Sequence, residues 1–128
     1  MENKQKSIVI VEDDEFLLEI LRDEFFKAGF NVATAKDGIE GLEAALRRQP
    51  DLILIDVLMP KMDGIEMLKK IRQHPGLKTT PAVILTNLND TQTIETALEN
   101  GAYDYLVKSD WNPKELVSHV QEKLGLKQ

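Results

Sequence analysis

An α/β fold, a five-stranded parallel sheet with helices on both faces, is predicted by three features of the sequence. First, Ile8-Val9-Ile10-Val11 and Leu52-Ile53-Leu54-Ile55 are apolar at every position. Strands with one wet face alternate, so unbroken runs of this length suit strands covered on both sides. Second, each run stops abruptly at acids, Glu12-Asp13-Asp14 in one and Asp56 in the other. Third, short apolar runs alternate with segments of helical spacing, five strand-then-helix units without a linker, low-complexity segment or longer repeat. Strict alternation of this kind implies right-handed crossovers onto a parallel sheet.

The elements follow in order. After a polar lead-in from Met1 to Lys6, the strand Ile8 to Val11 precedes a helix with Leu17, Ile20, Leu21, Phe25 and Ala28 on its inner face. Asp14 is suited to cap it and Gly29 to end it. Asn31 to Ala35 is a weaker strand, fit for a sheet edge. Asp37 caps the next helix, with Ile39, Leu42, Ala45 and Leu46 as its expected inner stripe and Pro50 closing the connection. The strand ending at Asp56 comes next. Asp63 and Glu66 are spaced as a capping box for a helix carrying Ile65, Leu68 and Ile71, which His74-Pro75-Gly76 ends.

Ala82 to Leu85 is the fourth strand and delivers Thr86 at its carboxyl end. Asn89 or Asp90 opens a helix with Ile94, Ala97 and Leu98 inside, closed by Gly101. Tyr103 to Val107 is the fifth strand, and it delivers Lys108. Asn112, Pro113 and Glu115 then have the pattern of a capped helix start, with Trp111 and Leu116 spaced as a hydrophobic staple. Leu116, Val117, Val120 and Leu124 supply its buried face. His74 and His119 read as solvated. Five strands without a glycine-rich dinucleotide fingerprint favour the flavodoxin-like strand order 2-1-3-4-5. In that order the first and third strands, which carry the acids, lie side by side.

Composition narrows the function. The 128 residues suit a single domain over 1–128 and bury a real core. Sixteen basic against 22 acidic side chains give a net charge of -6, which opposes direct binding of nucleic acid. With no cysteine, disulfides, zinc–thiolate sites and thiol catalysis are excluded. Ile8 to Val11 is too short for a signal core or membrane span, so a cytoplasmic protein without a membrane partner is expected.

On this topology Glu12, Asp13 and Asp56 converge, and Thr86 and Lys108 arrive from the next two strands. Two like charges about 4 Å apart repel by about 4 kcal/mol at an effective dielectric near 20. A hard cation relieves that repulsion, and oxygen donors without histidine or thiol suit magnesium. A lysine and a threonine hydroxyl at the same point are the donors a phosphoryl group needs. Taken singly, each residue has a plainer reading: a helix cap, a turn aspartate, a solvated lysine, a packed tyrosine. Their conjunction points to phosphoryl transfer onto a carboxylate.

Glu12-Asp13 after I-V-I-V, Asp56 in D-V-L-M-P-K-M-D-G, Thr86 after A-V-I-L, Tyr105, and Lys108 after Y-L-V occur in order at fixed spacings. In these residues the chain resembles, over essentially its whole length, a response-regulator receiver domain of two-component signalling, of the chemotaxis-regulator type. The resemblance implies a phosphorylation-dependent switch in which Asp56 is the phosphoacceptor. It implies magnesium held by Asp13, Asp56 and the main-chain carbonyl of Leu58, with Glu12 acting through water. Lys108 would pair with the phosphoryl oxygens, Thr86 would form a new hydrogen bond to them, and Tyr105 would turn inward as Thr86 moves. The implied donor is a sensor histidine kinase or a phosphotransfer protein, and the output partner is unnamed. A phosphorylation-dependent homodimer stays open. Such a domain assists its own phosphorylation and dephosphorylation without turning over an external substrate.

Two positions depart from the family pattern. Asn87 stands where a very small residue is usual, and its amide either narrows access to the site or adds a donor. Ser109 stands where a proline after a cis peptide is usual. A cis bond without proline costs about 2.5–4 kcal/mol, so the loop Lys108 to Asn112 is either trans and reshaped or cis and strained. Both departures keep a constitutive, unphosphorylated scaffold as an alternative. An aspartyl-phosphate phosphatase would instead carry an aspartate where this chain has Leu58.

Overall fold

The computed structural model describes residues 5–126. Of the polar lead-in, residues 1–4 lie outside the described part. The elements run β1 (Ser7–Val11), α1 (Glu15–Lys27), β2 (Asn31–Ala35), α2 (Gly38–Arg48), β3 (Leu52–Ile55), α3 (Gly64–Arg72), β4 (Ala82–Thr86), α4 (Thr91–Glu99), β5 (Asp104–Val107) and α5 (Pro113–Lys123). Single 3₁₀ turns, Pro75–Leu77 and Lys108–Asp110, follow α3 and β5. All neighbouring strands pair in parallel, in the order β2-β1-β3-β4-β5. The expected order is the observed one.

The unbroken apolar strands fill two cores because successive side chains point to opposite faces. Val9, Val11, Ile53, Ile55 and Ile84 face α2, α3 and α4, where Ala44, Ala45, Met67, Leu68, Ile71 and Ala97 meet them. Ile8, Ile10, Leu52, Leu54, Val83 and Leu85 face α1 and α5, which contribute Leu18, Leu21, Phe25, Leu116, Val117 and Val120. β2 is an edge strand with only Ala35 buried, which matches its weaker hydrophobicity.

Several inner stripes differ from expectation. In α1 the seam runs through Leu18, Leu21 and Phe25, while Ala28 is the exposed cap residue. In α2 the buried residues are Gly38, Gly41, Ala44 and Ala45, and Ile39 and Leu46 are exposed. The cause is close approach. A Cβ added at Gly41 would lie 2.8 Å from the Val11 side chain, so the helix meets β1 through its smallest residues and turns its bulky ones outward. In α4 only Ala97 is fully buried, and Leu98, one position further round the helix, is exposed. The capping bond from Glu66 N–H to Asp63 forms at 2.8 Å in α3, but the complete reciprocal box is found in α5, between Asn112 and Glu115.

His119 is not solvated. Its Nε2 lies 2.9 Å from Asp104 Oδ2, and its ring packs on Trp111 with centroids 4.7 Å apart. Helical spacing places His119 beside α5's inner seam, and β5 presents Asp104 opposite it. Only the packing of α5 on the sheet brings the two together.

Candidate functional site

The register of β1 and β3 creates the site. Val11 pairs with Ile55, and Asp56 N–H donates to the Val11 carbonyl at 3.0 Å, so both strands end at one level. Ligand oxygens of Glu12, Asp13 and Asp56 all lie within 4.8 Å of one another. Asp14 stands apart, capping α1 by accepting from the N–H groups of Phe16 at 3.0 Å and Leu17 at 3.2 Å.

Asp56 is 5 % exposed and Glu12 2 %. Asp56 Oδ1 accepts from Val57 N–H at 2.7 Å, which leaves Oδ2 to Lys108 Nζ at 3.0 Å. The same ammonium lies 2.8 Å from Glu12 Oε1. Glu12 Oε2 accepts from Asp14 N–H at 3.0 Å. Burial pushes the Glu12 carboxyl up to about 7, against the opposing pull of Lys108. Burial also works to lower the Lys108 ammonium, but its hydrogen bonds to Glu12 and Asp56 win and hold it above the usual lysine value. One ammonium therefore bridges two of the three clustered acids.

Thr86 is buried at the tip of β4, between β3 and β5. Tyr105 lies on β5, and its hydroxyl donates to the Leu88 carbonyl at 2.6 Å, tying β5 to the loop after Thr86. Burial, with Asp90 and Asp56 nearby, raises the Tyr105 phenol. Leu58 follows Asp56 by two positions and is 61 % exposed. The structure thus joins Glu12, Asp56 and Lys108 by direct contact, with an Asp13 oxygen within 4.8 Å of those of Glu12 and Asp56, Thr86 adjacent in the sheet and Tyr105 one loop away.

Sequence reasoning missed how the loop between β3 and α3 is fixed. Gly38 N–H donates to the Met62 carbonyl at 3.1 Å, and a Cβ at Gly38 would collide with that carbonyl. Gly64 N–H donates to the Val57 carbonyl at 2.8 Å, and a Cβ at Gly64 would collide with the Asp56 carbonyl. Lys61 adopts φ 69° and its Nζ lies 3.8 Å from Asp37. The helix-opening glycines were the available signal; the partner of Gly38, across a different connection, was not visible. The peptide between Lys108 and Ser109 is trans, since no cis bond occurs among the described residues. Ser109 N–H donates to Asn87 Oδ1 at 3.2 Å.

The family profile described as the response regulator receiver domain matches residues 8–121. The chain belongs to this family. Receiver domains act generally as phosphorylation-dependent switches in two-component signalling, and they interact with histidine kinases or phosphotransfer proteins. This receiver domain is 37% identical over 124 residues to the DNA-binding response regulator MtrA of Mycobacterium tuberculosis, covering 97% of this chain and 53% of that protein. The chain spans about half the length of the curated relatives it matches. Chemotaxis protein CheY4 of Vibrio cholerae superposes with a TM-score of 0.87 at 31% identity, covering 93% of this chain and 98% of that one. The receiver domain of sensor histidine kinase PA1611 from Pseudomonas aeruginosa has a TM-score of 0.85 at 28% identity, covering 95% and 99% of the two chains. That structure has a magnesium ion coordinated in its active-site cleft. Receiver domains bind magnesium at an acidic site, and this one has an acidic cluster. Among the described residues no helix is long and apolar enough to cross a membrane.

Proposed function

We propose that residues 1–128 form one receiver domain in which Asp56 is the phosphoacceptor. The observation that carries this reading is the Asp56 carboxylate at the tip of β3, pinned through one oxygen to its own loop and through the other to Lys108. The Asp56 oxygen attacks the phosphorus of a phosphohistidine in line. A bond from phosphorus to the aspartyl oxygen forms, the bond from phosphorus to nitrogen breaks, and imidazole leaves. Lys108 changes partner from Asp56 to a phosphoryl oxygen and stabilises the charge spread over the equatorial oxygens. Thr86, next in the sheet, offers its hydroxyl to the same group. Hydrolysis by water later cleaves the acyl phosphate and returns Asp56 as a carboxylate.

The donor set fits a hard divalent cation: three carboxylates, no thiol or imidazole, and a single ammonium against them. Asp13, Asp56 and the main-chain carbonyl of Leu58 would hold magnesium directly, and Glu12 through water. When bound, magnesium supplies charge neutralisation for the phosphoryl oxygens. No external substrate is turned over; the chain promotes its own phosphorylation and dephosphorylation.

Output is a shift of population. Tyr105 already holds the Leu88 carbonyl, so movement of Thr86 toward Asp56 is transmitted to the face formed by α4, β5 and α5. A partner, or a second copy of the chain, reads that face. The net charge of -6 leaves nucleic acid to other parts of any longer regulator. Intact mass after incubation with acetyl phosphate and magnesium tests the reading. A single phosphoryl adduct is expected on the wild type and none on Asp56→Asn. No adduct on either would favour the constitutive scaffold.

A further inference from the structure

Leu58 would give magnesium a main-chain carbonyl, and a main-chain donor is only as well placed as the backbone that carries it. That backbone is the loop between β3 and α3, and its middle is strained. Met62 N–H donates to the Pro60 carbonyl at 2.7 Å, closing a three-residue turn with Lys61 at its centre at φ 69°. Turns of this kind are rare and strained for a residue with a side chain, so they persist where the surroundings hold them. Here the surroundings are the start of α2. Gly38 N–H donates to the Met62 carbonyl at 3.1 Å, and the Lys61 ammonium lies 3.8 Å from Asp37 Oδ2. The Asp37 side chain is buried, and its other oxygen caps α2 by accepting from Glu40 N–H at 2.9 Å. The connection between β2 and α2 also meets the other metal-side segment, since Glu12 N–H donates to the Ala35 carbonyl at 3.0 Å.

We propose that Asp37 and Lys61 form a positioning pair for magnesium: the buried carboxylate holds the strained turn, and with it the Leu58 carbonyl, in the arrangement the ion needs before the ion arrives. This rests on that loop and the clustered acids being the magnesium site. Fixing a donor beforehand removes part of the ordering cost of binding. Two effects of Lys61 oppose each other. Its charge repels a divalent cation, whereas its pairing with Asp37 orders the loop. Lys61 is 66 % exposed along its side chain, so water and salt screen the longer-range repulsion. Its contact with the buried Asp37 carboxylate is short and screened less. Ordering therefore outweighs repulsion.

The test titrates magnesium by calorimetry into metal-free wild type, Lys61→Met, Lys61→Arg, Asp37→Asn and the double variant Asp37→Asn/Lys61→Met. Lys61→Met keeps a long side chain and deletes the charge. Asn caps a helix as well as Asp does, so Asp37→Asn spares the start of α2. Lys61→Met and Asp37→Asn are each expected to weaken magnesium binding about three- to fivefold, the upper range for a partly exposed ion pair. The double variant should bind no more weakly than either single one. Lys61→Arg, which keeps the charge, should bind as the wild type does. The sign for Lys61→Met is decisive, because charge alone predicts tighter binding once a cation near the site is removed. Amide hydrogen exchange in metal-free protein reads the loop itself: Met62 N–H should exchange faster in Lys61→Met and Asp37→Asn than in wild type or Lys61→Arg. Tighter or unchanged magnesium binding by Lys61→Met, additive losses in the double variant, or unchanged Met62 exchange would each overturn the pair and leave the magnesium site standing. If the wild type takes up no magnesium, the magnesium reading itself falls, and the pair falls with it.

Discussion

Lys108 Nζ stands 3.0 Å from Asp56 Oδ2 and 2.8 Å from Glu12 Oε1, so one side chain from β5 bridges acids at the ends of β1 and β3. Replacing it by alanine leaves three acids around one point. Removing one partner of a fully buried pair costs about 3–5 kcal/mol. Here Lys108 is partly exposed and Glu12 can take up a proton, so a loss nearer 1–2 kcal/mol is expected for Lys108→Ala without metal. Urea unfolding with a chelator present checks it, and saturating magnesium should recover much of the loss. Labelling of Lys108→Ala by acetyl phosphate should be slower by about tenfold or more. Unchanged stability and unchanged labelling would show that the bridge carries nothing.

Glu12 makes stability depend on pH. Its carboxyl titrates near 7 in the fold against 4.5 for the unperturbed group, so the folded state binds more protons between those values. The contribution is then fully present below about 4.5 and is lost as pH rises through about 7. A fall of up to about 3 kcal/mol is expected across that window in chelator, measured by denaturant titration at several pH values. Glu12→Gln should flatten the slope. Magnesium should stabilise the wild type more at pH 8 than at pH 5, because it competes with the proton for the same oxygens.

Leu58 is expected to lengthen the life of a phosphoryl group on Asp56. Two positions beyond Asp56 and largely exposed, it offers no donor or acceptor to an attacking water. The acyl phosphate should therefore persist well beyond seconds. Leu58→Asn, which adds a polar group able to orient water, should shorten the lifetime by about tenfold. The decay of the intact-mass adduct after removal of donor measures both, and loss of the wild-type label within seconds would refute the assignment.

Arg72 should prove structural. Its guanidinium donates to the carbonyls of Leu77 at 2.9 Å, Thr80 at 2.8 Å, Lys78 at 3.3 Å and Gly101 at 2.8 Å, joining the end of α3 to the connections before β4 and β5. Burial lowers its pKa, and among the described residues it has no carboxylate partner. Arg72→Ala should cost about 2–4 kcal/mol in urea unfolding by stranding those carbonyls, while the phosphoryl adduct on Asp56 still forms. A stable variant that takes no label would assign Arg72 to the switch instead.

β1 and β3 were legible because they are the least ambiguous signal here, apolar without break and ended by acids, and the order followed from five strand-then-helix units without a dinucleotide fingerprint. Caps were equally legible, since Asp14, Asp37, Asp63, Asp90 and Asn112 each bond an N–H within three residues. The inner face of α2 was not. Hydrophobic spacing named Ile39 and Leu46, but contact distance to Val11 favours Gly41 and its small neighbours. His119 was misread for a similar reason, because its partner Asp104 lies on another element.

Local chemistry along the chain determined which residues end the strands, where the helices start, and that acids, a hydroxyl and an ammonium would sit at one end of a parallel sheet. Only the tertiary structure decided that Lys108 spans Glu12 and Asp56 at once, that its turn borrows a cap from Asn87, and that α2 meets the sheet through glycine. Sequence patterns act over one or two turns of backbone, whereas these contacts depend on how far apart separate strands and loops come to rest.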